Sequence, residues 1–180
     1  MVEHSVRDAG AAGSNPVFPI FILNYTFGLI PHNFVLRRNW TMKIVSDRIE
    51  LSTKGNGALI NISGQLAERL EQSKLKTGNL TVFVVGSTAA ITTFEYEPGL
   101  SKDMLEFYDR LAPENKSYHH DAVWGDANGF SHVRAAFTGP SLTIPFEQGR
   151  LLLGTWQQVV LAEFDNRPRE RTIVIHIIGE

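Results

Sequence analysis

The densest group of side chains able to hold a proton or a cation lies in one irregular stretch. It runs through His119-His120-Asp121, then Asp126, then His132. His120, Asp126 and His132 are spaced six and six apart. That spacing falls on no single helix face, so the three must converge through loop geometry. Imidazole and carboxylate together suit Zn²⁺ or a similar divalent ion. They equally suit general acid–base chemistry near neutral pH, where imidazole titrates. Polar loops also gather His and Asp without chemistry, so a solvated loop is the third reading of the same residues.

Other positions could serve such a centre. Ser87 and Thr88 follow an apolar run and precede small residues. Hydroxyls and free backbone N–H groups there could hold a phosphate, or simply close a strand end. Glu95 could act as a base, a ligand or a partner that orients an imidazole, or be a surface acid in Glu95-Tyr96-Glu97. Arg134 and Arg150 offer forked donors that match phosphate, or ordinary ion pairs. Glu163 sits among apolar neighbours and needs a partner if buried; Arg171, on what reads as the adjacent strand, is the candidate. His176 lies inside the run TIVIHII and reads as a packed, hydrogen-bonded histidine, and Trp156 as core or interface area.

The elements that must position these groups show a mixed pattern. Lys43–Leu51 alternates apolar and polar residues, as a strand with one wet face does. Ala58–Ile62 predicts a short strand, and Ser63 a helix cap before Leu66, Leu70 and Leu75 at helical spacing. Leu80–Val85 is apolar on both faces and predicts a central strand; Ala89–Phe94 continues extended. Leu100, Met104, Tyr108 and Leu111 share one helix face, ending before Pro113. Glu114–Asn128 reads as a long loop and His132–Phe137 as a short helix. Ser141–Phe146, Leu151–Leu153, Gln158–Phe164 and Thr172–Ile178 read as strands. With no regular alternation of strand and helix, the fold class is α+β: a mostly antiparallel, two-layer, sandwich-like core with two main helices. No internal repeat, Walker loop or dinucleotide glycine fingerprint is present.

Composition narrows the function classes. The chain has 180 residues, 43% hydrophobic and 20% charged, an ordinary globular balance. Its 17 basic and 19 acidic residues give a net charge of −2. No basic excess exists for gripping nucleic acid through its phosphates. The absence of cysteine excludes disulfides, iron–sulfur clusters and thiolate zinc sites. Residues 1–41 do not match the rest: Ala9 to Leu36 carries no Lys, Arg, Asp or Glu. Its prolines and polar groups interrupt any membrane span, and its start lacks the basic region of a signal peptide. Residues 1–41 read as an extension of doubtful status, with a misassigned leader, an oligomer arm and membrane contact as the alternatives. Residues 42–180 read as one domain, with no membrane partner and a cytoplasmic setting expected.

Three blocks in order, Ser131–Ala136 (SHVRAA), Gly139–Pro145 (GPSLTIP) and Gly149–Gln158 (GRLLLGTWQQ), resemble the signature of the YjbQ family (UPF0047). Ser87-Thr88-Ala89-Ala90-Ile91-Thr92 and Glu95 are similar to the family's HTSA-type strand and the acid that follows it. The resemblance spans Met42 to Glu180. It implies an α+β domain that assembles as a homotrimer, with a pocket near the subunit boundaries. It also implies a weak thiamine-phosphate-synthase activity, which joins a pyrimidine pyrophosphate to a thiazole phosphate and releases pyrophosphate. By this resemblance His120, Asp126 and His132 stand at the family's His, Asp and His positions, as catalytic groups or as ligands to Zn²⁺ or Mg²⁺. Gly86 departs from the pattern, where a His often stands, and this removes one possible ligand. A metal-dependent hydrolase and a non-catalytic oligomeric ligand-binding protein are the competing functions.

Overall fold

The computed structural model describes residues 41–55 and 57–180. The expectations for residues 1–40 fall outside the described residues. In chain order the elements are β1 (Lys43–Thr53), β2 (Ala58–Asn61), α1 (Ser63–Ser73), β3 (Thr77–Val84), β4 (Ala89–Glu95), α2 (Pro98–Leu111), α3 (His119–Trp124), α4 (Gly129–Thr138), β5 (Ser141–Glu147), β6 (Arg150–Leu151), β7 (Gln157–Glu163) and β8 (Arg169–Gly179).

The strands form two antiparallel sheets, one ordered β1-β8-β3-β5-β6 and one ordered β2-β7-β4. The expected α+β class and sandwich-like core are therefore present. Alternation explains the layers. Leu80, Val82 and Val84 of β3 and Ile173, Ile175 and Ile177 of β8 point inward with period two. They pack on Ile91 of β4, on Val159 and Leu161 of β7, and on Leu66 and Leu70 of α1. The opposite face of the small sheet, with Ala90, Ala162 and the following Phe164, meets Tyr108 of α2 and Ala135 of α4. Covered on both sides, β7 is buried along most of its length.

Several expectations change. β3 is central in its sheet, but only one face is covered: Phe83 and Val85 are 41% and 51% exposed. Ser63 does not cap α1. Its hydroxyl accepts from Val159 N at 2.7 Å, fastening the helix to β7. The long loop contains α3, and His176 is exposed because β8 turns it to the outer face of its sheet, opposite Ile175 and Ile177. Trp156, 68% exposed, fills no core space.

Candidate functional site

The three residues picked out by chemistry do converge, though short helices rather than loop alone bring them there. His120 lies in α3, Asp126 in the link after it, and His132 in the first turns of α4. A hydrogen bond locks the two helices together. Asp121 Oδ1 accepts from Gly129 N at 2.8 Å. A Cβ at Gly129 would stand 2.5 Å from the Cβ of Tyr118, so only glycine permits this approach. Asn166, between β7 and β8, donates to the carbonyls of Asp126 and Ala127 at 3.0 and 3.1 Å.

The resulting geometry is compact. The rings of His120 and His132 are 4.3 Å apart between centroids, tilted 47°. His120 Nε2 is 3.6 Å from Asp126 Oδ1, and the buried Asn128 sits between them. With acceptors around it, its amide nitrogen turns inward, donating to Asp126 Oδ1 at 3.1 Å, Oδ2 at 3.2 Å and His120 Nε2 at 3.3 Å. This network assigns the His120 proton to Nδ1. Sequence reasoning missed Asn128, an amide two residues from Asp126 in a segment read as loop. The pKa of His132 is lowered, first by burial and then by the charge of His120, against the opposing pull of Asp126, Asp165 and Asp121.

His132 also faces the connection between β3 and β4. Together with Gly86, Ser87, Ala89 and Pro140 it lines a cavity of about 270 Å³. Beneath that connection runs a chain of buried polar groups. Arg171 Nε and Nη2 donate to Glu163 Oε2 and Oε1 at 2.6 and 2.5 Å. Arg171 Nη2 also donates to Thr88 Oγ1 at 2.7 Å, and Thr88 Oγ1 donates to Asp165 Oδ2 at 2.9 Å. Arg169 Nε completes the chain to Asp165 at 2.8 Å. Burial alone would raise the pKa of Asp165, but hydrogen bonds from Arg169 and Thr88, with the Arg169 charge, hold it low. The expected Glu163–Arg171 pair is present, across the two sheets rather than between adjacent strands.

Other expected site residues stand elsewhere. The Thr88 hydroxyl is buried and occupied by Arg171 and Asp165, so Ser87 alone offers a free hydroxyl. Glu95 ends β4, roughly 20 Å along the strand from Ala89 at ~3.3 Å per residue, and pairs with Gln157. Arg134 is buried, donating to Ala112 O at 3.0 Å and Asp109 Oδ1 at 3.1 Å, and stacks on Phe130. Arg150 lies beyond the far end of β5, paired with Glu147. There it lines a separate cavity of about 810 Å³ with Lys74 and Lys76. Neither arginine reaches the histidines.

As placed, the cluster does not form a three-donor cation set. Among the described residues no group of three His, Cys, Asp or Glu side chains could hold a metal ion. Nor is any helix among them long and apolar enough to cross a membrane.

The family described as UPF0047 protein YjbQ-like matches residues 47–180. The chain belongs to this family. Within UPF0047, a protein from Archaeoglobus fulgidus is 37% identical over 127 residues, covering 71% of this chain and 96% of the relative. The protein YugU of Bacillus subtilis is 31% identical over 133 residues, covering 73% and 97%. A crystal structure of a YbjQ-like protein of unknown function from Sulfolobus solfataricus P2 is also similar. It has a TM-score of 0.74 and 36% identity, covering 78% of this chain and 100% of that one. A hypothetical protein from Aeropyrum pernix K1 has a TM-score of 0.67 and 32% identity, covering 74% and 99%.

Proposed function

We propose that this UPF0047 protein is an enzyme acting on a phosphorylated small molecule, with thiamine-phosphate-synthase-like transfer as the reaction. One observation carries the reading: His132 is shared between the contact with His120 and the cavity at Gly86 and Ser87. Proton chemistry and a recess large enough to admit a phosphate therefore adjoin. A neutral imidazole is the favoured form of His132 at pH 7, since burial and the neighbouring His120 both oppose its charge. It can accept a proton or donate a hydrogen bond to a phosphoryl oxygen. Asp126 and Asn128 hold His120 in place against it. In the transfer, the thiazole nitrogen forms a bond to the pyrimidine methylene carbon as that carbon's bond to pyrophosphate breaks. The charge that departs with pyrophosphate is what N–H donors and an imidazole can stabilise.

The test mixes the full chain with the pyrimidine pyrophosphate and thiazole phosphate and measures thiamine phosphate. Product that falls about 10²-fold or more in His132→Ala, the usual size of an acid–base contribution, supports the reading. No product, or equal product in folded His120→Ala and His132→Ala variants, ends it.

A bound Zn²⁺ or Mg²⁺ is a separate proposal. It requires Asn128 to turn away and further donors to join, and elemental analysis beside a His120→Ala, His132→Ala variant tests it. A homotrimer and a cytoplasmic setting are proposed on the family resemblance alone; light scattering and cell fractionation test them.

A further inference from the structure

Arg171 does more than balance Glu163. Two of its nitrogens are taken up, by Glu163 and Thr88. The third, Nη1, makes no hydrogen bond to any described residue. Its side chain is 7% exposed, yet Nη1 is not among the fully buried atoms that lack a partner, so that corner of the guanidinium keeps its access to solvent. A guanidinium has five N–H donors in a fixed fork, and those on Nη1 remain available to a ligand.

Nη1 is turned toward Gly86, whose hypothetical Cβ would lie 2.8 Å from it. Gly86 has φ +140° and lines the cavity with Ser87 and His132. The absent side chain thus leaves Arg171 separated from the cavity wall by backbone alone. The amide N–H groups of Gly86, Ser87 and Thr88 also lack an acceptor among the described residues, whereas Val85 N is bonded to Thr172 O at 2.9 Å. Successive unpaired N–H groups in a connection of this kind form an anion-binding concavity. Adding the Ser87 hydroxyl gives donors of three kinds about one recess. Such a set suits the oxygens of a phosphoryl group, and guanidinium geometry matches phosphate and carboxylate alike.

We infer that Arg171 is the phosphoryl anchor of this cavity, acting through Nη1 with the Gly86–Ser87 backbone, and that Gly86 is the position that uncovers it. The inference rests on the phosphorylated-substrate reading above and supplies the residue that binds the phosphate. The roles then divide: Arg171 and the 86–88 connection hold charge, and His132 handles the proton.

The experiment titrates inorganic phosphate into the full-length protein, with acetate as the comparison. Affinity comes from calorimetry, and the contact from the Arg171 Nε–H, Ser87 amide and His132 ring resonances. Phosphate is expected to shift all three. Affinity should fall at least tenfold in Glu163→Gln, Arg171→Met, which removes the buried pair together. It should fall similarly in Gly86→Ala, which retains both Glu163 and Arg171 but sets a methyl 2.8 Å from Nη1, so that the guanidinium must shift from its place behind the cavity. The inference is overturned if the wild type binds no phosphate, or if phosphate leaves the Arg171 resonance unmoved. A folded variant that keeps full affinity overturns it too, as does acetate binding as well as phosphate. Should either variant fail to fold, the wild-type resonances still decide. Arg171-dependent phosphate binding without thiamine phosphate formation would retain the anchor while ending the transferase reading. Turnover that depends on His132 but not on Arg171 would do the reverse.

Discussion

Arg171 spans both oxygens of Glu163, one from each sheet, at the end of the core where the two inward faces meet. Glu163 follows Val159 and Leu161 in the inward register of β7, and Arg171 precedes Ile173, Ile175 and Ile177 in that of β8. The pair is therefore the polar terminus of an otherwise apolar layer. Glu163→Ala leaves a buried guanidinium without its counter-charge and is expected to cost about 3–5 kcal/mol. Glu163→Gln with Arg171→Met is expected to cost much less. Urea unfolding checks both, and a loss below about 1 kcal/mol in Glu163→Ala would contradict the burial argument.

The histidine pair makes a pH prediction. The His132 pKa is lowered by burial first and by the charge of His120 second. With its folded pKa below the unfolded value near 6.5, the unfolded chain binds more protons between the two. Stability from neutral His132 is thus present above about pH 6.5 and is lost as pH falls through the folded pKa. Titration of the His132 ring by NMR should give a midpoint below 6.5, and a midpoint at or above it would refute the assignment. Any His132-dependent activity should fall on the acid side of the same midpoint.

Gly129 tests how the site is positioned. In Gly129→Ala the new methyl meets the Cβ of Tyr118, an overpacking expected to cost about 1–3 kcal/mol. Because the same residue donates to Asp121, α3 must move against α4. The His120–His132 contact should loosen, seen as a rise in the His132 midpoint toward the free value. An unchanged midpoint in a destabilised protein would show that the ring contact does not depend on this lock.

Asn128→Ala removes the amide that joins Asp126 to His120. A hydrogen bond to a charged group contributes about 1.5–3 kcal/mol, and a loss of that order is expected in thermal or urea unfolding. The specific readout is the His120 tautomer. Its ¹⁵N shifts should report the Nδ1–H form in the wild type and a mixture in the variant. An Nε2–H form in the wild type would reverse the orientation assigned to the amide.

Period-two runs and turn residues made most strands legible, as where Val45, Ile49 and Leu51 alternate with polar residues in β1; in Leu80–Val85 apolar residues on both faces hid that only one is covered. The site was legible as a set of residue types, since His120, Asp126 and His132 are rare and close in sequence. What could not be read is the scaffolding. α3 is six residues long and too short for periodicity to distinguish it from loop. Arg134 and Arg150 looked alike as forked donors, yet burial against Asp109 and distance along β5 separate both from the cavity. Arg171 showed the opposite failure. It was seen only as a partner for Glu163, because a spare donor corner depends on which strands meet, and β7 and β8 belong to different sheets.

β8, drawn from residues 169–179, is inserted between β1 and β3, so that Thr172 bonds to Glu50 across 122 positions of chain. During synthesis, β1 and β3 must wait for that strand before the larger sheet can close. Their facing edges stay unsatisfied meanwhile, a state prone to off-pathway pairing. Folding of such long-range topology is intrinsically slow. Ending the chain a few residues before Gly179 would take them from an interior strand of the sheet rather than from its margin.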